Sequence, residues 1–414
     1  MVEMKNLPGN LNQVWIPAIL ISLAGCAYSE KSNSKPSIIL ILADDMGSHV
    51  PGCYGGSKIA TPNIDRLAKN GMRFLQAYSG SSVYALSRAC LMTGLHSGHV
   101  SVRGNTGGVS LKDEDVTVAE ILKTAGYVTD GFGKWSLGDV NTEGIPEKQG
   151  FDTFFGYYHQ IHAHFYYTDY LWRNSVKVQM TNIHGDSASY SPYRIVEEIK
   201  KFIYNNNDRR FFCFGSWTIP HTNDDGNPQI PESDPAYQLY KDSSWTEYDK
   251  KYAAMNTRLD LDLGAIVTLL KELKIDKQTV IIFISDNGGG EKFDSSFNVS
   301  GYLRGFKRQF YEGGIRVALI FSWQSKIPAG STCSVPCYFP DIMYITCDDF
   351  GKDWKVHARW NQFLDFLPVS RTHAYRPWQF ILSNEEWENL IKQKGYEYVR
   401  DSSQFRVDGT HNPM

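Results

Sequence analysis

PSIILILADDMG, Pro36 to Gly47, decides the fold class. From Ser37 to Ala43 the run is apolar and rich in Ile and Leu, with no alternation of polar and apolar positions. That pattern suits a strand buried on both faces of a parallel sheet. Next comes TPNIDRLAKNGMRF (Thr61–Phe74), where Thr61 can cap a helix, Pro62 sits at its first position and Gly71 closes it. VTVAEILKTAGYVTDGFGKW (Val116–Trp135) predicts a helix from about Val116, a glycine stop at Gly126 and a strand from Tyr127. RRFFCFGSWTIPH (Arg209–His221) carries another buried strand, and Tyr248–Lys274 holds apolar residues at helical spacing for about seven turns. TVIIFISDNGG (Thr279–Gly289) is a strand running into a glycine-rich loop, and IRVALIFSW (Ile315–Trp323) is one more strand. Strands alternating with helices predict an α/β fold with a mostly parallel central sheet.

The rest of the chain narrows the class. Its 414 residues are 42% hydrophobic and 21% charged, ample for one large core. Net charge is −3, so there is no basic footprint for nucleic acid. VWIPAILISLAG (Val14–Gly25) is too short to span a bilayer and reads as the apolar part of a signal peptide. It runs into Cys26, and Leu-Ala-Gly-Cys resembles a bacterial lipobox, whose cysteine is lipidated. The expected organisation is a lipoprotein-type signal over 1–25, a tether over 26–36, the α/β domain over 37–350 and a short C-terminal region over 351–414. The expected location is the cell envelope, with membrane contact only through a lipid on Cys26. Of seven cysteines, Cys333 and Cys337 are spaced for a close pair in an exported chain.

In parallel sheets, ligands bind beyond the carboxyl ends of the strands. Asp44 and Asp45 end the first strand, and Asp286 and Asn287 end the strand over Thr279–Ser285. These four are all-oxygen donors of high negative charge, the set for a hard cation, Ca²⁺ or Mg²⁺. Arg88, Lys134, His221 and Lys307 would add positive charge and donors around the ion. Such a pocket suits a tetrahedral oxyanion, phosphate or sulfate.

LADDMG, KIATPNIDRLAKNG, SRACLMTGLHSGH, GKWSLG, KQGFDTFFGY, TIPH, FISDNGG and LRGFKRQFYEGGIRV together resemble the sulfatase family of the alkaline phosphatase superfamily, in particular exported bacterial arylsulfatase-type enzymes. The resemblance runs from about Pro36 to Phe350. It implies a three-layer α/β/α sandwich with a short or incomplete C-terminal subdomain, and a hydrolase of aryl or carbohydrate sulfates that depends on calcium in preference to magnesium. Asp44, Asp45, Asp286 and Asn287 would hold the calcium. Arg88 would orient the nucleophile, Lys134 and Lys307 would bind sulfate oxygens, and His221 would protonate the leaving group or assist sulfate binding.

The chain departs from that pattern where the chemistry is concentrated. The family nucleophile is a cysteine, oxidised to formylglycine, in a Cys-x-Pro-x-Arg frame. Here Arg88 matches, but Tyr84 holds the nucleophile position and Leu86 the proline position. The hydrated aldehyde offers two geminal hydroxyls, one to attack sulfur and one to expel sulfate. A phenol has no means of the second step. Ser136, in GKWSLG, replaces a histidine that helps eliminate sulfate, and Ala318 replaces a proline. Cys90 lies six residues past Tyr84, about 9 Å along a helix, so it cannot stand in and is expected to pack in the core.

GYYHQIHAHFYYTDYLWRN (Gly156–Asn174) packs three His, five Tyr, one Phe and one Trp into nineteen residues. It reads either as a substrate-facing wall, with His162 and His164 as binding groups, or as a loop folded on itself. Three functions stay open from the sequence: a sulfate-ester hydrolase, a non-catalytic binder of calcium and a sulfated small molecule or glycan, and a phosphoester hydrolase on the same scaffold. The Tyr84, Leu86 and Ser136 triple favours the second. The third is disfavoured because no added histidines suggest a second metal.

Overall fold

A computed structural model describes residues 35–105, 109–182, 188–324 and 326–344. The expected signal segment, Cys26 and the C-terminal region over 351–414 lie outside the described residues. In chain order the strands are β1 (Ser37–Ala43), β2 (Met72–Phe74), β3 (Ala77–Tyr78), β4 (Val128–Lys134), β5 (Thr153–Tyr157), β6 (Tyr170–Arg173), β7 (Val176–Gln179), β8 (Phe211–Ser216), β9 (Thr279–Ser285), β10 (Leu319–Ser322), β11 (Ser331–Cys333) and β12 (Cys337–Tyr338). Ten of them form one sheet in the order β11-β2-β10-β9-β1-β8-β4-β5-β6-β7, and β12 pairs with β3 separately. The central five, β9-β1-β8-β4-β5, are all parallel. Beyond them β10 and β6 attach antiparallel.

β1 lies at the middle of this sheet because it has no face that tolerates water. Ile38, Leu40 and Leu42 enter one apolar cluster, and Ile39, Ile41 and Ala43 enter another on the opposite face. Each Ile or Leu side chain here, fully buried, contributes about 1.5–3 kcal/mol. Helices α2 (Tyr84–Thr93) and α3 (Val118–Thr124) bury their apolar residues in the first cluster. The second takes α1 (Pro62–Lys69), α4 (Ser191–Asn205) and α6 (Glu247–Glu272), the last following a short α5 (Pro235–Gln238). The fold is the α/β/α sandwich expected.

Local details differ from the sequence reading at two helix starts. Thr61 occupies the cap position of α1, but its hydroxyl accepts the N–H of Gly52 at 2.9 Å instead. The free N–H groups of Asn63 and Ile64 go to the Asp260 carboxylate of α6, at 2.9 and 2.7 Å. A tertiary contact thereby replaces the local cap. In α3 the start is Val118, because Thr117 and Glu120 form a reciprocal capping box. Cys333 and Cys337 lie on strands of two different sheets and are not bonded to each other. Cys90 is fully buried in the core of α2, in the packing role expected.

Candidate active site

Adjacent parallel strands bring the two acidic pairs together. Ala43 of β1 lies opposite Ser285 of β9, so the residues after each strand emerge side by side. Asp286 donates its N–H to Ala43 O at 3.0 Å, prolonging the ladder by one step. Asp45 adopts the left-handed conformation, with φ of 67°, which turns the chain sharply after Asp44. Its N–H then reaches Asp286 Oδ1 at 3.1 Å, and its Oδ1 accepts Asn287 Nδ2 at 2.7 Å. Lys134 is the last residue of β4, and His221 follows β8, the neighbour of both β1 and β4.

Three cations face three carboxylates. Lys134 Nζ donates to Asp44 Oδ2 at 2.6 Å. Arg88 donates Nε and Nη2 to Asp286 Oδ2, at 3.1 and 2.9 Å. Lys307 pairs with Asp45 Oδ2. The Nη1 of Arg88 binds Lys134 O and Ser216 Oγ, tying α2 to the ends of β4 and β8. Ser216 and Ser87, which bonds Asp286 O, are supporting residues that motif reading passed over. Asp44, Lys134, Asp286 and Asn287 are all fully buried.

Burial opposes every charge here, and neighbours decide which charges persist. Burial raises Asp44, but Lys134, His221, Arg88 and Lys307 outweigh it and hold the carboxyl well below its usual range. Asp45 is lowered too, burial again being overcome by Lys307 and His221. Asp286 is pushed up, by burial and then by the Asp44 charge beside it. His221 falls to about 3, through burial and Lys307, so its ring is neutral. Its Nδ1 meets Thr222 O and therefore carries the proton. The bare Nε2 faces Asp45 Oδ2 at 3.4 Å.

Tyr84 opens α2, and Arg88 stands one turn later on the same face. Its ring lies 3.9 Å beneath Lys134 Nζ and 5.1 Å from Lys307 Nζ, measured to the ring centre. Edge contacts to His164 and His221 close the other sides, leaving the residue 8% exposed. Burial and the three nearby carboxylates push its phenol well above the usual range. The hydroxyl therefore keeps its proton at neutral pH.

Of the aromatic loop, the structure brings His164 to the cluster. Its ring stacks on His221 at 4.4 Å and its Nδ1 meets Asp224, an acidic partner the sequence did not single out. His162 spends its contacts within the loop, on Thr168 at 2.7 Å and against the rings of Tyr157 and Tyr170. Ser136 has φ of 67° and a buried hydroxyl without a partner. It borders a pocket of about 350 Å³, open mouth included, shared with Ala85, Asp139, Tyr158, His159 and Gln160. Leu86 is half-buried and packs against the core.

The cluster fits a divalent cation on its own chemistry. Asp44 Oδ1 and Asn287 Oδ1 are buried acceptors without hydrogen-bond partners, and such orphans are costly unless something positive meets them. Among the described residues, Asp44, Asp45 and His221 are the one group of acidic, His or Cys side chains compact enough to hold an ion. His221 Nε2 shares this space, so the donor set is all-oxygen or all-oxygen plus one imidazole.

Known proteins resemble this chain in sequence and fold. The Sulfatase family profile matches residues 36–354. Arylsulfatase A of Homo sapiens is 31% identical over 350 residues, 76% of this chain. The chain spans 64% of that protein's length, just under two thirds. The N-acetylgalactosamine-6-O-sulfatase of Bacteroides thetaiotaomicron is 29% identical, covering 75% of this chain and 73% of its own. Among solved structures, Ps i-CgsB in complex with k-i-k-neocarrahexaose superposes with a TM-score of 0.67 at 26% identity, over 87% of this chain and 77% of that one. With the profile spanning most of the sequence and the fold and acidic cluster in place, the chain belongs to the sulfatase family of the alkaline phosphatase superfamily.

Proposed function

We propose that this chain is a non-hydrolytic member of its family, one that binds a divalent cation, calcium by its oxygen donors, and recognises sulfated ligands without turning them over. The observation that carries this reading is Tyr84, with its ring lodged against Lys134 and its phenol held protonated. Sulfate-ester hydrolysis through an enzyme-bound sulfate needs a nucleophile that is ionised and then regenerated. A phenol of raised pKa attacks poorly, and a sulfated tyrosine has no second hydroxyl to release the group. Ser136 offers no base in place of the histidine.

The remaining residues keep their binding roles. Asp44, Asp45, Asp286 and Asn287 would hold the ion. When bound, it supplies positive charge that an anionic ligand can face. Arg88 fixes Asp286 and, through Lys134 O and Ser216, the geometry of the strand ends. Lys134 and Lys307 are the cations of the pocket, each paired here with a carboxylate, Asp44 and Asp45. Sulfated small molecules or glycans are the ligand class, a reading supported by the relatives' names.

The test is hydrolysis of a simple aryl sulfate by the purified chain, with calcium and with chelator, beside a calorimetric calcium titration. The expected result is calcium binding and no product beyond one equivalent. Metal-dependent product in many equivalents would overturn the non-hydrolytic reading, and a flat titration would overturn the cation site.

A further inference from the structure

The segment from Gly301 to Glu312 runs along the mouth of the cluster. Lys307 donates its N–H to Gly289 O at 2.9 Å and sends its ammonium inward to Asp45. Arg308 donates its N–H to Ser82 O at 2.9 Å, two residues before Tyr84, with φ of 73°. The segment is thereby fastened on both sides of the site, to the loop after β9 and to the entry of α2.

Its outward side chains have an unusual composition. Tyr302 is 83% exposed and Phe310 is 82% exposed, with Tyr311 also well exposed. Arg304 lies 3.8 Å over the Tyr311 ring, and Arg304 and Arg308 are themselves exposed. Large aromatic surface left in water beside guanidinium groups is unfavourable unless something covers it. Aromatic faces stack on sugar rings, and planar guanidinium forks pair with sulfate oxygens. The pocket behind this rim is already filled by the Tyr84 ring, and its two lysines are paired with Asp44 and Asp45.

We infer that the rim formed by Tyr302, Arg304, Arg308, Phe310 and Tyr311 is a binding platform for a sulfated polysaccharide. The chain engages the polymer along this surface, with internal sugars on the aromatic rings and their sulfates on the two arginines. This deepens the proposed function and rests on its ligand class, but it moves recognition from the buried lysines to the exposed rim. An uncharged polysaccharide lacks the sulfates that both arginines would meet, so sulfation is the discriminating feature. Because the charges are exposed, binding weakens as salt rises.

The experiment uses the full chain on immobilised carrageenan, chondroitin sulfate and heparan sulfate, with a desulfated sample of each, over a salt series. The variants are Phe310→Ala and Arg308→Gln, singly and together; both side chains are exposed, so the fold is retained, and a calorimetric calcium titration of each variant confirms it. Retention of at least one sulfated polymer is expected, weaker for its desulfated form. The double variant should lose about tenfold or more in affinity, as hot-spot truncations do, with calcium binding unchanged. Failure to retain any of the three, or a double variant that binds like the parent, would overturn the rim. The aryl sulfate assay and the calcium titration read the pocket separately, so either result leaves the proposed function to stand or fall on its own test.

Discussion

Truncating Tyr84 separates its packing from its chemistry. In Tyr84→Ala the ring under Lys134 is removed, and with it the edge contacts to His164 and His221. Aromatic-to-alanine changes in packed sites cost about 3–5 kcal/mol, and a partly desolvated cation–π contact adds about 0.5–2 kcal/mol. The ring stands at the edge of a polar cluster, where water can refill the space, so the net loss should be about 2–4 kcal/mol. The same change uncovers the ammonium of Lys134 and one side of Lys307. Inorganic sulfate should then bind, and at a hundred times its Kd it would restore about 2.7 kcal/mol. Urea denaturation with and without sulfate, in calcium-containing buffer, reads both effects. Tyr84→Phe keeps the ring and should stay within about 0.5 kcal/mol of the parent, with no response to sulfate. A Tyr84→Ala protein as stable as the parent, or one indifferent to sulfate, would refute the view that the ring plugs an anion pocket.

Asp130, at 8% exposure, is raised to about 6, burial outweighing its hydrogen bonds from Thr153. A carboxyl raised in the folded state contributes stability below its unfolded pKa of about 4 that is lost as pH climbs through 6. Asp130→Asn should therefore show a smaller loss between pH 4 and pH 8, by up to about 3 kcal/mol, in denaturation at each pH. Asp260→Ala strips the tertiary cap from α1 and should cost about 2–3 kcal/mol, with faster amide exchange at Asn63 and Ile64. Thr117→Ala breaks the capping box of α3 and the bond to Gln149 O, and should cost about 1–2 kcal/mol by the same denaturation assay. Chelation should lower the thermal midpoint, and calcium added back should restore it; an unchanged midpoint would count against an occupied ion site.

The sandwich was legible because burial on both faces leaves a simple mark. β1, β8 and β9 read as apolar runs, and the helices between them carried their own period. Strand ends are equally legible, since a buried run stops where charged residues begin. That placed Asp44, Asp45, Lys134, His221, Asp286 and Asn287 at one edge of the sheet before any geometry was known. Helix starts were less legible. Thr61 looks like a cap and is not one, because its acceptor met a nearer donor and a carboxylate from α6 filled the role.

By itself the sequence determined the family, the sheet and the residue types at the cluster, since each depends on local composition and order. The family resemblance read from it is what assigns Tyr84 and Ser136 to the positions of a reactive aldehyde precursor and a base. Tertiary structure decided what those residues do. The position of the Tyr84 ring against two ammonium groups, and the stacking of His164 on His221, depend on chain segments far apart in sequence. So does the pairing of three cations with three carboxylates, which leaves two buried oxygens for an ion. Electrostatic energy depends on distance and burial, and neither is written in the order of residues along a chain.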